Sequence, residues 1–443
     1  MADRYVKSGG SGTGADWTTA YATLTAAEAA DTAGDNIYVS SSHAESSASA
    51  VNLPSAGTLA LPTKIVSVSD GAAPPTSVSV GASVTTTGAN AISVAGNAYL
   101  YGLKFFIGTG ASTGAQFNAA SVAAAAIQTY EKVSFDHVSP MTANQWRVGL
   151  AGATNVGSRV QCIDCTWKFY AAGQGIRLEN GELEIVGGSI TKDSAVSLTA
   201  LFVQTNSYKG SLKVNGLDLS GLNAGVNIFS APGGAFKGII RNSKLPSGWS
   251  GKLSGTDPTP GCRVEMHNCD DGNTNYRMWV QEYAGSIKSE TVVTRTGGAM
   301  DGTTALAWKM ETSADAEFPT LVLASPELAI WNDTTGVAKT VTLHVLTDGV
   351  TLKDDEAWLE VTYLGTSGAP LGSVVTDRKA GLLTAAQVQD ASSAAWTTTG
   401  IASPVMQKLS VTVTPQKKGY MILRAMFVKP GSTMYVCYSP EIS

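Results

Sequence analysis

The chain has 443 residues, a formal net charge of −5 and only 15% charged residues, against about 25% in an ordinary soluble domain. That balance excludes the basic stripe of a nucleic-acid binder and the polybasic patch of an electrostatic membrane binder, and no run of about 18 apolar residues is present to span a bilayer. The composition, 43% hydrophobic with 47 glycines, suits a chain with a sizeable core and many tight bends rather than a disordered one.

Residues 1–62 read as an N-terminal cap and entry strand. Tyr21, Leu24 and Ala27 fall at helical spacing, Thr25 and Glu28 have the spacing of a capping box, and Gly34 offers a stop. A helix over about 25–33 is expected to cover the end of whatever follows. Ile37-Tyr38-Val39 is the first strand. His43 and Glu45 come just after it and are expected in a solvated loop.

Residues 63–272 contain short apolar segments that fit one template: apolar, any, apolar, any, bend, then further apolar positions. The segments are 98–105, 133–138, 160–167, 183–190, 212–219, 240–245 and 264–269. Their bend column reads Gly102, His137, Asp164, Gly187, Gly216, Asn242 and Asn268, residue types that tolerate a left-handed backbone. Asp70 fits the same column one step earlier. The steps from Gly102 onward run from 23 to 35 residues, with a mean near 28. Such a period, with constant strands and variable loops, predicts a parallel β-solenoid whose rungs stack about 4.8 Å apart.

Residues 273–284 read as a connector. Residues 285–443 change character: half-buried alternation as in Leu409-Ser410-Val411-Thr412-Val413 predicts an antiparallel sandwich. Its expected strands are 287–295, 305–311, 320–324, 339–346, 358–363, 408–414, 419–427 and 434–438.

The candidates for chemistry are few. The odd count of five cysteines does not suggest a disulfide framework. Cys162, Cys165, Cys262 and Cys269 fall in core columns, and the two pairs lie four rungs apart, about 19 Å. Buried thiols are therefore expected rather than a shared metal. Among the carboxylates Asp136, Asp164, Glu179, Glu182, Glu184 and Asp218, Asp164 is explained by the bend. Glu182 and Glu184 lie two residues apart on one outward strand face, about 7 Å, a separation that carboxylate-driven glycoside hydrolysis tolerates. An ordinary solvated strand face has the same spacing, so they are weak catalytic candidates. A lyase would also want clustered Asp for calcium with an Arg or Lys on a neighbouring rung, and Arg147, Arg159, Arg177 and Arg241 do not fall beside such a cluster. Trp308, Trp331, Trp358 and Trp396 are expected in the core, with glycan stacking or a subunit contact as the alternatives. No phosphate loop, nucleophile elbow or zinc-protease motif occurs, and no cofactor is expected.

The run Asp16-Trp17-x-x-Ala20-Tyr21-x-Thr23-Leu24, then Gly34-Asp35-x-Ile37-Tyr38-Val39-Ser40, with the rungs after it, resembles the pectin-lyase-like right-handed parallel β-helix proteins of tailed-phage virions. The resemblance covers about residues 1–272. It implies an all-β chain: a right-handed parallel β-helix with an N-terminal cap helix, then a C-terminal antiparallel, jelly-roll-like β-sandwich. It also implies a homotrimer that touches major capsid or tail proteins and host surface glycan.

The expectation drawn from these readings is a non-enzymatic surface protein, a capsid decoration or a head or tail spike. The cap begins almost at Met1, which favours decoration. The absence of an apolar leader agrees with assembly in the host cytoplasm. The alternatives are a tailspike depolymerase of host polysaccharide and a non-catalytic glycan-binding adhesin.

Overall fold

The structure is a computed structural model. It describes residues 2–443 except 111–113, 121–125, 139–144, 150–156, 180, 205–209, 231–232, 234, 257, 260, 283–284, 296–303, 313–321, 353–355, 364–372, 376–395, 399–402, 416 and 438–439. The chain divides into two units, Met1–Asn275 and Tyr276–Ser443.

The first unit is a parallel β-helix with three strands per turn. One turn is formed by Arg159–Ile163, Thr166–Phe169 and Gly175–Leu178, and Gly181–Val186 opens the next. The first strand of each turn belongs to one sheet. It stacks Asp3–Val6, Asn36–Ser40, Thr63–Val68, Ala98–Tyr101, Ile127–Glu131, Arg159–Ile163, Gly181–Val186, Gly210–Asn215, Lys237–Arg241 and Arg263–Asp270 in sequence order, all parallel. The other two strand positions build two further parallel sheets of seven strands each.

Alternation along each strand sends every second residue inward. Because the turns pair in register, inward residues form continuous columns. Ile37, Ile65, Leu100, Tyr130, Cys162, Ile185, Val214, Ile240 and Met266 make one such column, all buried. Each aliphatic member contributes about 1.5–3 kcal/mol on burial, but only when the neighbouring turns close over it. Midway along the helix the interior is aromatic: Phe105, Phe135 and Trp167 stack at 5.9 and 5.6 Å, and Phe117 stacks on Trp146 at 6.1 Å.

The bend column occurs as a run of left-handed residues: Gly102, Lys132, Asp164, Gly187, Gly216, Asn242 and Asn268. One member differs from expectation. Lys132, at φ 52°, stands where His137 was expected. The strand Ile127–Glu131 supplies that turn, and Ser134–His137 lies in the next sheet, opposite Thr166–Phe169. The apolar-alternating template fits both strands, and a lysine carries no bend signal. Asp70 is also outside the column: Val66 pairs with Tyr101, which sets Ser67 opposite Gly102, and Asp70 instead accepts a hydrogen bond from Ser40 Oγ at 2.9 Å.

The cap helix is shorter than expected and starts earlier, Leu24–Ala29. Thr23, not Thr25, is its N-cap, and accepts the N–H of Ala26 at 3.2 Å. Glu28 turns inward and accepts the N–H of Ser55 at 3.0 Å, so it closes no capping box. Leu24 and Ala27 are buried beneath the helix.

All five cysteines are buried, and none is in a disulfide. Cys162 occupies the inward column between Tyr130 and Ile185, and Cys165 donates its thiol to the carbonyl of Tyr130 at 3.3 Å.

The second unit is antiparallel. One layer contains Gly285–Arg295, Thr304–Thr312, Thr433–Cys437, Lys339–Asp348 and Pro404–Val413. The other contains Leu328–Asn332, Gly419–Phe427, Ala357–Tyr363 and Ser373–Val375. Their inner faces meet in one core that includes Leu343, Val345, Leu359, Val411, Leu423 and Phe427. The all-β class expected from the sequence, a parallel helix followed by antiparallel sheets, is the class observed.

Candidate active site

The outward residues of the first sheet also form columns. One runs Arg159, Glu182, Ser211, Lys237, Arg263; its neighbour runs Gln161, Glu184, Lys213, Ile239, Glu265. The third ends Val186, Asn215, Arg241, His267. Columns of unlike side chains leave a hollow wherever a short residue follows a long one. Ser211 does this between Glu182 and Lys237.

Two adjoining hollows result. The larger, about 480 Å³, is lined by Glu184, Lys213, Asn215, Ile239, Arg241 and Asn242. The smaller, about 100 Å³, is lined by Arg159, Glu182, Glu184, Ser211 and Lys213. Glu184 and Lys213 line both. The two glutamates singled out in the sequence are therefore brought to one depression, with cations on either side.

Glu182 Oε2 is held by Arg159, with Nε and Nη2 both at 2.9 Å. Both side chains are exposed, so the pair is worth less than about 1 kcal/mol and exchanges readily with solvent or ligand. Glu184 is half-buried and accepts a hydrogen bond from Gln161 Nε2 at 3.0 Å. The floor beyond Lys213 is edged by an asparagine ladder: Asn242 donates to Asn215, and Asn268 donates to Asn242, each at 2.8 Å. At the far end Glu265 meets His267 Nε2 at 2.7 Å and Arg263 Nε at 2.6 Å. The His267 hydrogen bond, then the Arg263 contacts, pull its carboxyl down to about 2 against the effect of burial.

In the other direction the same face is aromatic. Tyr99 donates its hydroxyl to Glu131 at 2.8 Å, and the Lys132 ammonium lies 5.8 Å from the centre of the Tyr101 ring. The face thus offers flat rings, then paired acids and bases, then amides.

The remaining sequence candidates lie elsewhere. Asp164 holds the bend, as expected. Asp218 accepts from the N–H and hydroxyl of Ser220 in a local turn. Asp136 is on a different sheet, where burial raises its carboxyl against the lowering effect of a Tyr170 hydrogen bond. Glu179 is buried 2.6 Å from Arg177 Nε, and Arg147 pairs in register with Arg177 on the third sheet. Three of the arginines meet single glutamates: Arg159 pairs with Glu182, Arg177 with Glu179, and Arg241 lines the larger hollow with Glu184.

His43 and Glu45 are not in a solvated loop. Both are buried, with His43 Nε2 3.4 Å from Glu45 Oε2 and His43 Nδ1 3.4 Å from Ser8 Oγ. Glu45 Oε2 also accepts the N–H of Leu24 at 2.8 Å. The strand Ala44–Ser47 starts a second sheet directly after the strand Asn36–Ser40, and that burial was not visible in the sequence. His137, freed from the bend column, is a fully buried ring 5.4 Å from Phe169. Of the tryptophans, Trp308 and Trp358 are 7% and 5% exposed, as core residues are, while Trp331 is 58% exposed. Trp396 opens the strand Trp396–Thr398, and its side chain lies outside the described residues.

Sequence reasoning missed Lys213, Asn215 and Asn242 as lining residues. They enter the site only through register, and no local motif marks them.

No protein-family model and no curated protein matches the chain. Among solved structures it is similar to the enzymatically active domain of tailspike protein 4 of bacteriophage CBA120, at 9% identity and a TM-score of 0.28, over 96% of this chain and 67% of that one. It is also similar to the tailspike gp49 of Acinetobacter baumannii bacteriophage Fri1, described as a capsular polysaccharide depolymerase, at 10% identity and a TM-score of 0.29, over 91% of this chain and 72% of that one. Both of these proteins are described by an enzymatic activity, which stands against the expectation of a non-enzymatic chain. The resemblance read from residues 1–272, to parallel β-helix proteins of tailed phages, is met at the level of fold.

Proposed function

We propose that the chain is a bacteriophage spike that binds a surface polysaccharide along the outer face of its first sheet and hydrolyses it at Glu182 and Glu184. The observation that carries this reading is the depression in which these two carboxylates stand with Lys213. The phage setting, the homotrimer and the contact with capsid or tail proteins come from the sequence resemblance.

The proposed chemistry follows from the two environments. Glu182, positioned by Arg159, is assigned the general base that takes a proton from water. Glu184, hydrogen-bonded to Gln161 and deeper in the depression, is assigned the general acid that gives its proton to the leaving glycosidic oxygen. Water oxygen bonds to the anomeric carbon as the carbon–oxygen bond to the leaving sugar breaks. The Cα atoms of two outward residues of one strand lie about 7 Å apart, and carboxyl groups at such a separation leave room for that water, with inversion as the expected outcome. Lys213, Arg241 and the asparagine ladder orient hydroxyl and acidic groups of the chain, and Tyr99 and Tyr101 offer ring faces to sugars further along it.

The test is release of reducing ends from capsular and O-antigen polysaccharides of the host. Glu184→Gln and Glu182→Gln are each expected to lower the rate by about 10²–10⁴-fold, and the first product is expected with inverted anomeric configuration. Undiminished cleavage by both variants, or no cleavage by the parent chain, sinks the assignment.

A further inference from the structure

The geometry points to a second, independent sugar-binding site on the C-terminal unit, formed by Trp331 and Tyr420. The two residues face each other across the strands Leu328–Asn332 and Gly419–Phe427. Their rings are 5.2 Å apart at 77°, and they are 58% and 59% exposed.

Alternation explains why they point outward. On the same strands Ile330, Met421, Leu423, Ala425 and Phe427 pack into the core, so Trp331 and Tyr420 take the opposite face. Nothing in the fold requires an indole there. The corner is also held in place from below. Asn332 is buried, and its side-chain amide donates to the carbonyls of Thr334 at 2.6 Å and Lys417 at 3.4 Å. That clamp ties together the two loops that leave the Trp331 and Tyr420 strands, so the rings are pre-organised.

The occupant that fits is one pyranose ring. Its C–H face lies on the indole, and its hydroxyl rim reaches Tyr420 Oη and the exposed side chains of Asp333 and Lys418 beside the pair. A second copy of the chain fits less well. The other exposed large hydrophobic residues described in this unit are Val337 and Ile442, too few for the apolar centre of a subunit interface. The site does not depend on cleavage by the first unit.

The test uses the full chain carrying Glu184→Gln, which keeps the glycan intact, on an array of bacterial capsular and O-antigen polysaccharides. Affinities for the best-bound polymer are then measured for Trp331→Ala, Tyr420→Ala and Trp331→Phe, with mass by light scattering. Trp331→Ala and Tyr420→Ala are expected to weaken binding about tenfold or more at unchanged mass. Trp331→Phe, which keeps a flat ring, is expected to retain most of it. Equal binding by Trp331→Ala, absence of binding by the Glu184→Gln chain, or a changed oligomer mass overturns the site. Failure of the cleavage assay alone does not.

Discussion

The carboxylate of Glu45 accepts the backbone N–H of Leu24 at 2.8 Å, and so fastens the cap helix to the strand Ala44–Ser47, the first of the second sheet. Leu24 is the first residue of the helix, so its amide is one of those that no intrahelical carbonyl satisfies. Glu45→Ala leaves it buried without a partner and is expected to lower stability by about 1–3 kcal/mol. Glu45→Gln keeps an acceptor and is expected to lose less than half of that. Thermal unfolding of the two variants beside the parent chain measures the difference, and equal values refute the role.

Glu28 predicts a pH dependence of the cap. Burial, then the charge of Asp31, raise its carboxyl from 4.5 to about 8, with the Ser55 N–H acting in the opposite sense. A folded value above the unfolded one means that the folded chain binds more protons between those limits. The contribution is therefore full below pH 4.5 and falls as pH rises towards 8, by up to ~1.4 kcal/mol per unit. Glu28→Gln keeps an acceptor for Ser55 without the charge. It is expected to raise the melting temperature at pH 8 and to flatten its decline from pH 5; an unchanged slope contradicts this.

His137 predicts the opposite slope. Burial lowers its imidazole from 6.5 to about 3, and neither ring nitrogen has a hydrogen-bond partner among the described residues. The unfolded chain binds the extra proton between pH 6.5 and 3, so stability falls as pH falls through that window. His137→Leu removes the titration and is expected to protect the first unit at pH 4 relative to pH 7. Denaturant midpoints at the two pH values decide it.

Lys132 is the least suited member of the bend column, a long side chain at φ 52°. Lys132→Gly is expected to stabilise the helix by about 0.5–1 kcal/mol despite the lost contact with Tyr101. The same change at Lys168, a residue inside a regular strand, is expected to destabilise. Similar shifts at both positions exclude the backbone explanation.

Much of the fold was legible because a solenoid repeats its physical demands. Gly187, Gly216, Asn242 and Asn268 announce the same left-handed bend turn after turn, and the inward column around Ile185 and Val214 is apolar throughout. Lys132 broke the pattern because its conformation is imposed by the turns on either side, with no local signature. The site was half legible. Glu182 and Glu184 share a strand, so their common face follows from alternation. Lys213 lies 29 residues beyond Glu184, one full turn of the helix, whose length no rule fixes. The parity of Trp331 was hidden for a related reason. Its strand is five residues long, too short for alternation to declare itself beside the longer runs.

The in-register stacking of the first sheet has a consequence for how such a chain can change. Inner and outer columns never share a residue, so the text that specifies the fold and the text that specifies the surface are interleaved letter by letter. Exchanging Glu184, Lys213 or Arg241 rewrites the outer face and leaves Ile185, Val214 and Ile240 in place. A lineage of such chains can therefore alter its surface one turn at a time, without passing through a misfolded ancestor.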